Sequence, residues 1–139
     1  MFHRTVAVAM FAGLLASCAS QPVPDAQTRA VPPDRISAPK YLDPAPNTGT
    51  VTVKRDSGFM GGGCAFQLMV DAAPVADLRT AERVVLHLPL GDHVLSVQPH
   101  GICSGGVPEV QAHVTAAAPL SFRIGVGSSG DLAIYPTKF

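Results

Sequence analysis

The side chains with most chemical reach in this chain are three cysteines and five histidines. Cys64 and Cys103 both lie in glycine-rich stretches, Gly61-Gly62-Gly63-Cys64 and Gly101-Ile102-Cys103-Ser104-Gly105-Gly106. Joined, they would close a loop of about 40 residues and stabilise the fold by roughly 4 kcal/mol in the chain-entropy account. Left free, Cys103 would stand where a nucleophile elbow places its serine or cysteine. That motif needs a strand before it and a helix after it, and Gly106-Val107-Pro108 opposes a helix. No C-x-x-C pair is present, so the expectation is a structural disulfide rather than a reactive thiol. His87, His93, His100 and His113 follow one another at spacings of 6, 7 and 13. Zinc sites usually show close ligand pairs such as C-x₂-C or H-x₃-H; none occurs here, so no metal site is expected. Asp56, Asp71, Asp92 and Asp131 fall at strand ends or turns, where aspartate has local backbone reasons to be. Gly61-Gly62-Gly63 lacks the Gly-Lys-Ser/Thr of a phosphate loop. These residues point away from an enzyme and imply no cofactor.

A different chemistry is written at the start of the chain. His3 and Arg4 precede an 11-residue apolar run, Val6 to Ala16, which ends in Leu15-Ala16-Ser17-Cys18. A basic start, an apolar stretch of this length and small residues at its end make a secretory signal. The run is too short to cross a hydrocarbon core, which needs about 20 residues. Leu15-Ala16-Ser17-Cys18 resembles the lipobox of bacterial lipoproteins. The resemblance implies that Cys18 becomes the first mature residue, with a diacylglyceryl thioether on its sulfur and an acyl chain such as palmitate on its amine. Three such chains, at roughly 0.8 kcal/mol per buried CH₂, would hold the protein on a membrane almost permanently. Ala19, where retained lipoproteins carry Asp, implies by the same resemblance the outer membrane, with the domain facing the periplasm. An exported domain keeps its two remaining cysteines in a compartment that oxidises thiols.

Composition narrows the partners. Without residues 1–17 the chain has 122 residues, nine Lys/Arg against ten Asp/Glu, a net charge of −1. Nucleic acid would demand a basic stripe, which is missing. There is no Trp and only 6% of residues are aromatic, so an extended base- or sugar-stacking platform is excluded. The expected partners are a membrane, through the lipid on Cys18, and an envelope protein.

The elements that must position these residues follow from texture. Residues 18–48 hold seven of the thirteen prolines and no sustained apolar period, which predicts a lipidated cysteine followed by a disordered tether. Drawn out, it would reach about 90 Å. From Thr50 the chain alternates apolar and polar residues between glycine and proline turns, through Thr50–Lys54, Cys64–Val70, Val75–Leu78, Val84–Leu88, His93–Gln98, Val110–Thr115, Leu120–Val126 and Leu132–Tyr135. Only Thr80–Leu88 could be read as helix. Seven or eight short strands in residues 49–139 predict an all-β domain, a small antiparallel sandwich.

Ser57-Gly58-Phe59-Met60 places two large apolar residues in a glycine loop. Either Phe59 folds back as a lid on the core, or Phe59 and Met60 form a contact patch for a partner or for lipid. The stretch Val53 to Cys64 (VKRDSGFMGGGC) resembles a group of small Gram-negative outer-membrane lipoproteins that share a lipobox, an RDSGF…GC segment and a second cysteine about 40 residues on. More loosely, Val70-Asp71-Ala72-Ala73-Pro74-Val75 and Leu88-Pro89-Leu90-Gly91-Asp92-His93-Val94-Leu95-Ser96-Val97 are similar to PEGA-type envelope modules, which implies an Ig/PEGA-like sandwich. Ala72 stands where that pattern has glycine. Together these readings imply a non-catalytic accessory or adaptor lipoprotein of an envelope complex. The alternative is a small-ligand or metal-binding lipoprotein that uses its surface histidines.

Overall fold

A computed structural model describes residues 18–138; the signal peptide read at residues 1–17 lies outside them. All eight predicted strands form, each with one face buried because apolar residues recur at every second position. They follow a short strand that the sequence reading missed, β1 (Arg29–Ala30), as β2 (Thr48–Arg55), β3 (Phe66–Val70), β4 (Ala73–Leu78), β5 (Glu82–Pro89), β6 (Gly91–Pro99), β7 (Glu109–Val114), β8 (Leu120–Val126) and β9 (Leu132–Pro136). Thr80–Leu88, the ambiguous window, is strand from Glu82 onward.

The strands make two sheets, ordered β1-β5-β2-β8-β9 and β4-β3-β6-β7. Val51, Val53, Leu86, Leu88 and Ile124 from the first meet Leu68, Leu95 and Val97 from the second in a core from which water is excluded. The expectation of an antiparallel sandwich is corrected: the five-stranded sheet is mixed. β2 runs parallel to β8, with Val53 opposite Phe122, and β1 runs parallel to β5. Between β2 and β8 the chain crosses into the other sheet and back twice, returning once as β5, so β8 can enter beside β2 in the same direction. The turn between β3 and β4 has positive φ at both Asp71 and Ala72, the twist a two-residue hairpin favours. Ala72 adopts it without the glycine of the resembling pattern.

The largest departure concerns the predicted tether. In place of a free coil, residues 20–41 form a strap bound to the sandwich. Ser20 N–H donates to Val126 O, Gln21 and Ser57 exchange two backbone bonds, and Arg29 and Val31 N–H groups donate to Ala81 O and Arg83 O. Farther on, Ser37 N–H donates to Val75 O, so the strap crosses from the β5 edge of one sheet to the β4 edge of the other. The strap's own Val23 and Val31 are buried, and its Ile36, Ala38 and Tyr41 pack on the core. Prolines that cannot donate lose little here, and their fixed φ lowers the entropy lost on ordering. Lys54 points away from the core side of β2, yet the strap leaves it only 2% exposed, its ammonium 2.8 Å from Asp25 Oδ1.

Arg35 fastens the strap by a two-pronged pair with Glu82 and by a bond to Asp77 O. Burial by itself would raise the Glu82 carboxyl. Hydrogen bonds from Arg35 and the Arg79 N–H, with the Arg35 charge, outweigh it and hold that pKa below the ordinary glutamate value of 4.5. With the folded pKa below the unfolded one, the pair's contribution is full above pH 4.5 and is lost as pH falls through the folded value. Arg35→Ala is expected to cost about 2 kcal/mol at neutral pH, since a mostly buried carboxylate loses its partner. Urea melts at pH 7 and at successively lower pH should show that difference shrink as the pH falls through the folded Glu82 value. Trypsin should cut the variant at Arg29 far faster than the wild-type chain; equal rates would mean that the Arg35–Glu82 pair does not hold the strap.

Candidate functional site

The strand directions gather one set of loops at one end of the sandwich. β2 and β8 run into it, at Arg55 and Val126; β3 and β9 run out of it, at Phe66 and Leu132; β6 reaches it at Pro99. The loops 56–65, 100–108 and 127–131 therefore share this end, and Cys64 and Cys103 join the first two with a Cα–Cα distance of 6.1 Å. The disulfide expected from sequence is thus formed. It also settles the elbow-like Gly101–Gly105, because the Cys103 sulfur is bonded and offers no thiolate. Cys18 is a free, exposed cysteine.

Arg55 builds the end from inside. By alternation it shares the core face of β2 with Val53, a position that ordinarily takes an apolar residue. Its guanidinium lies 3.6 Å from the centre of the Phe66 ring and donates to the carbonyls of Gly61, Cys64 and Leu78. One rigid guanidinium meeting three carbonyls, two in the 56–65 loop and one at the end of β4, is a task suited to the planar arginine fork. Burial lowers the Arg55 pKa to about 10, against the opposing Glu82 charge, so the group stays charged at neutral pH. Sequence reasoning missed this role. The signal that could have found it is the charged residue at an inward position of an otherwise alternating strand.

Asp56, the next residue, ties the start of the strap to the same end. Its Oδ2 accepts from Ser20 Oγ at 3.1 Å and lies 3.2 Å from Arg123 Nη1. Burial raises its pKa, with the Arg123 charge and the Ser20 bond opposing. Ser20 Oγ in turn accepts from the Val126 N–H at 2.8 Å. The crowding explains Gly125: a Cβ there would stand 2.5 Å from the Tyr135 hydroxyl and 2.8 Å from Asp56 Oδ2. Gly58 is needed twice over, with φ at +141° and only 3.0 Å between its would-be Cβ and Ser20 Cα. Arg55, Asp56 and Gly58 thus each have a structural reason to be where they are.

The frame leaves Phe59 out. Its side chain is 95% exposed, and Ile102, beside the other cysteine, is 97% exposed. The lid reading of Phe59 is corrected: the backbone turn at Gly58 sends the ring outward. Met60, by contrast, packs partly on the core. It lines a cavity of about 190 Å³ with Phe66, Pro99, Cys103, Val126 and Leu132. Of the proposed contact pair, Phe59 is the exposed member and Met60 supports the loop.

The histidines do not converge. His93 and His113 sit on the opposite end, each beside an aspartate, with Nδ1 2.7 Å from Asp71 and 2.6 Å from Asp92. His87 lies within β5 and His100 in the 100–108 loop. Among the described residues no group of three or more His, Cys, Asp or Glu could hold a metal ion. No described helix is long and apolar enough to cross a membrane. In comparisons with known proteins, no family model, no curated sequence and no solved structure matches the chain.

Proposed function

We propose that this protein is a non-catalytic, lipid-anchored module of the cell envelope. In this reading it is an accessory or adaptor lipoprotein, held on the outer membrane through Cys18 and facing the periplasm. The single observation that carries it is a rigidly framed contact end. A buried arginine and a disulfide brace two loops whose most prominent side chains, Phe59 and Ile102, are left almost wholly in water. Apolar surface held out in this way by a well-ordered frame is characteristic of a contact surface. The lipobox-like Leu15-Ala16-Ser17-Cys18 supports the anchor, and the two-sheet sandwich is compatible with an Ig/PEGA-like adaptor module.

The test is covalent crosslinking in intact cells, then mass spectrometry of the affinity-purified protein. Acyl chains on Cys18 and one stoichiometric envelope protein are the expected result. A Cys18 free of lipid overturns the anchoring; no reproducible protein overturns the adaptor role. The small-ligand reading draws on one observation, an open groove of about 430 Å³ where Gln111 and His113 of β7 approach Ser121, Thr137 and Lys138. A ligand seated there only in the folded state would raise the melting temperature with its concentration.

A further inference from the structure

We infer that the surface met by the Phe59 end is the bilayer that carries the protein's own anchor, so that Phe59 and Ile102 act as a membrane foot. The inference rests on the lipidation of Cys18 and names the partner of the contact end. Its first support is where the anchor leaves the domain. Ser20 is pinned by Val126, Asp56 and, through Gln21, by Ser57. Only Cys18 and Ala19 stand between the lipid and that pinned point. Ser20 Cα also lies against Gly58, next to Phe59 in the chain. Chain geometry then puts Cys18 Cα within about 16 Å of Phe59 Cα. A 30-residue free tether would let the domain stand far from the membrane in any orientation; the bound strap leaves about 7 Å of free chain.

The second support is the chemistry of that end. The loop tips Ser57–Ala65, His100–Val107 and Gly127–Gly130 contain no Lys, Arg, Asp or Glu, while exposed Asp131 and, in the turn between β4 and β5, exposed Arg79 flank them at the same end. The two most exposed large apolar side chains, Phe59 and Ile102, both stand on it. The opposite end carries exposed Asp71 and Asp92, hydrogen-bonded to His93 and His113, together with exposed Lys138. An apolar-tipped end beside a lipid attachment point turns that end toward the membrane. Phe and Ile enter the interfacial layer readily once the acyl chains have paid the entropy of association. The flanks of the sandwich and the opposite end are left facing the periplasm, where a protein partner could reach them.

The chain contains no Trp, so one introduced indole reports alone. The experiment takes the full lipidated protein, purified from the envelope, in vesicles of phosphatidylethanolamine and phosphatidylglycerol. Phe59→Trp should show blue-shifted emission and be quenched about twofold or more by lipids brominated near the glycerol level. Leu90→Trp, at the far end, should be quenched little. Ile102→Ser added to Phe59→Trp should reduce the quenching. Mass spectrometry of the same sample reads the lipid on Cys18 separately. Unquenched, water-like emission from Phe59→Trp on a lipidated chain overturns the foot and leaves the anchor standing; so does equal quenching at both ends. A Cys18 without lipid overturns the anchor and the foot with it. If photo-crosslinking from position 59 captures one envelope protein while lipid quenching is absent, that end is a protein-docking face instead.

Discussion

Removing the Cys64–Cys103 bridge, by Cys64→Ala with Cys103→Ala, is expected to lower stability by about 4 kcal/mol. The bond closes a loop of 39 residues, and the unfolded chain regains the freedom that this closure withheld. For a domain of this size, total stability is on the order of 5–15 kcal/mol, so the loss is a large part of the whole. The damage should be concentrated at one end. Cys64 is buried at the foot of the 56–65 loop, where its carbonyl accepts from Arg55, whereas Cys103 sits on a loop with few bonds of its own. Denaturant melts with and without a reducing agent measure the effect directly. Reduction should shift the midpoint of the wild-type chain and leave the double variant unmoved. A wild-type midpoint indifferent to reduction would show that the bridge contributes nothing to stability.

The second large effect is expected at Arg55. Arg55→Met keeps much of the volume and apolar stem but leaves the carbonyls of Cys64, Gly61 and Leu78 without their donors. At about 1–3 kcal/mol for each buried unsatisfied acceptor, partly offset because no cation then needs desolvation, a net loss of about 3 kcal/mol follows. Arg55→Lys should fail almost as badly, since a single ammonium cannot reach three carbonyls in one plane or stack flat on Phe66. Hydrogen exchange distinguishes this from general weakening: amides of residues 56–64 should lose protection before those of β5 or β6. A variant whose melting midpoint matches wild type would show that water or a shifted loop satisfies those carbonyls.

The two predictions bear on the same surface. Phe59 is useful as a contact only while its loop is held, and the loop is held by one covalent bond and one buried cation. Phe59 can be replaced with little cost to folding, because it touches little of the folded chain. Loss of contact with folding intact, at Phe59, and loss of folding, at Arg55 or the cysteines, are therefore separable outcomes.

By itself the sequence determined the strands and the bridge. Alternation puts side chains on opposite faces with a period of two, and a buried face demands apolar residues at that spacing. Thr50–Lys54 and Leu120–Val126 are legible because the pattern and its cause are local. The disulfide is legible from the two cysteines within residues 49–139 and from their glycine-rich settings. Only the tertiary structure decided the rest, because the partners lie far apart along the chain. The strap owes its order to Val126, Ser57, Ala81 and Val75, none of which a composition count over residues 18–48 can weigh. Arg55 falls at an inward position, and what it does there depends on three carbonyls that only the folded loops bring together. β2 and β8 lie parallel because the chain between them passes through the other sheet. Whether Phe59 turned inward or outward was settled by Gly58 pressed against Ser20, a contact across 38 positions, and no periodicity within a strand reports on such a distance.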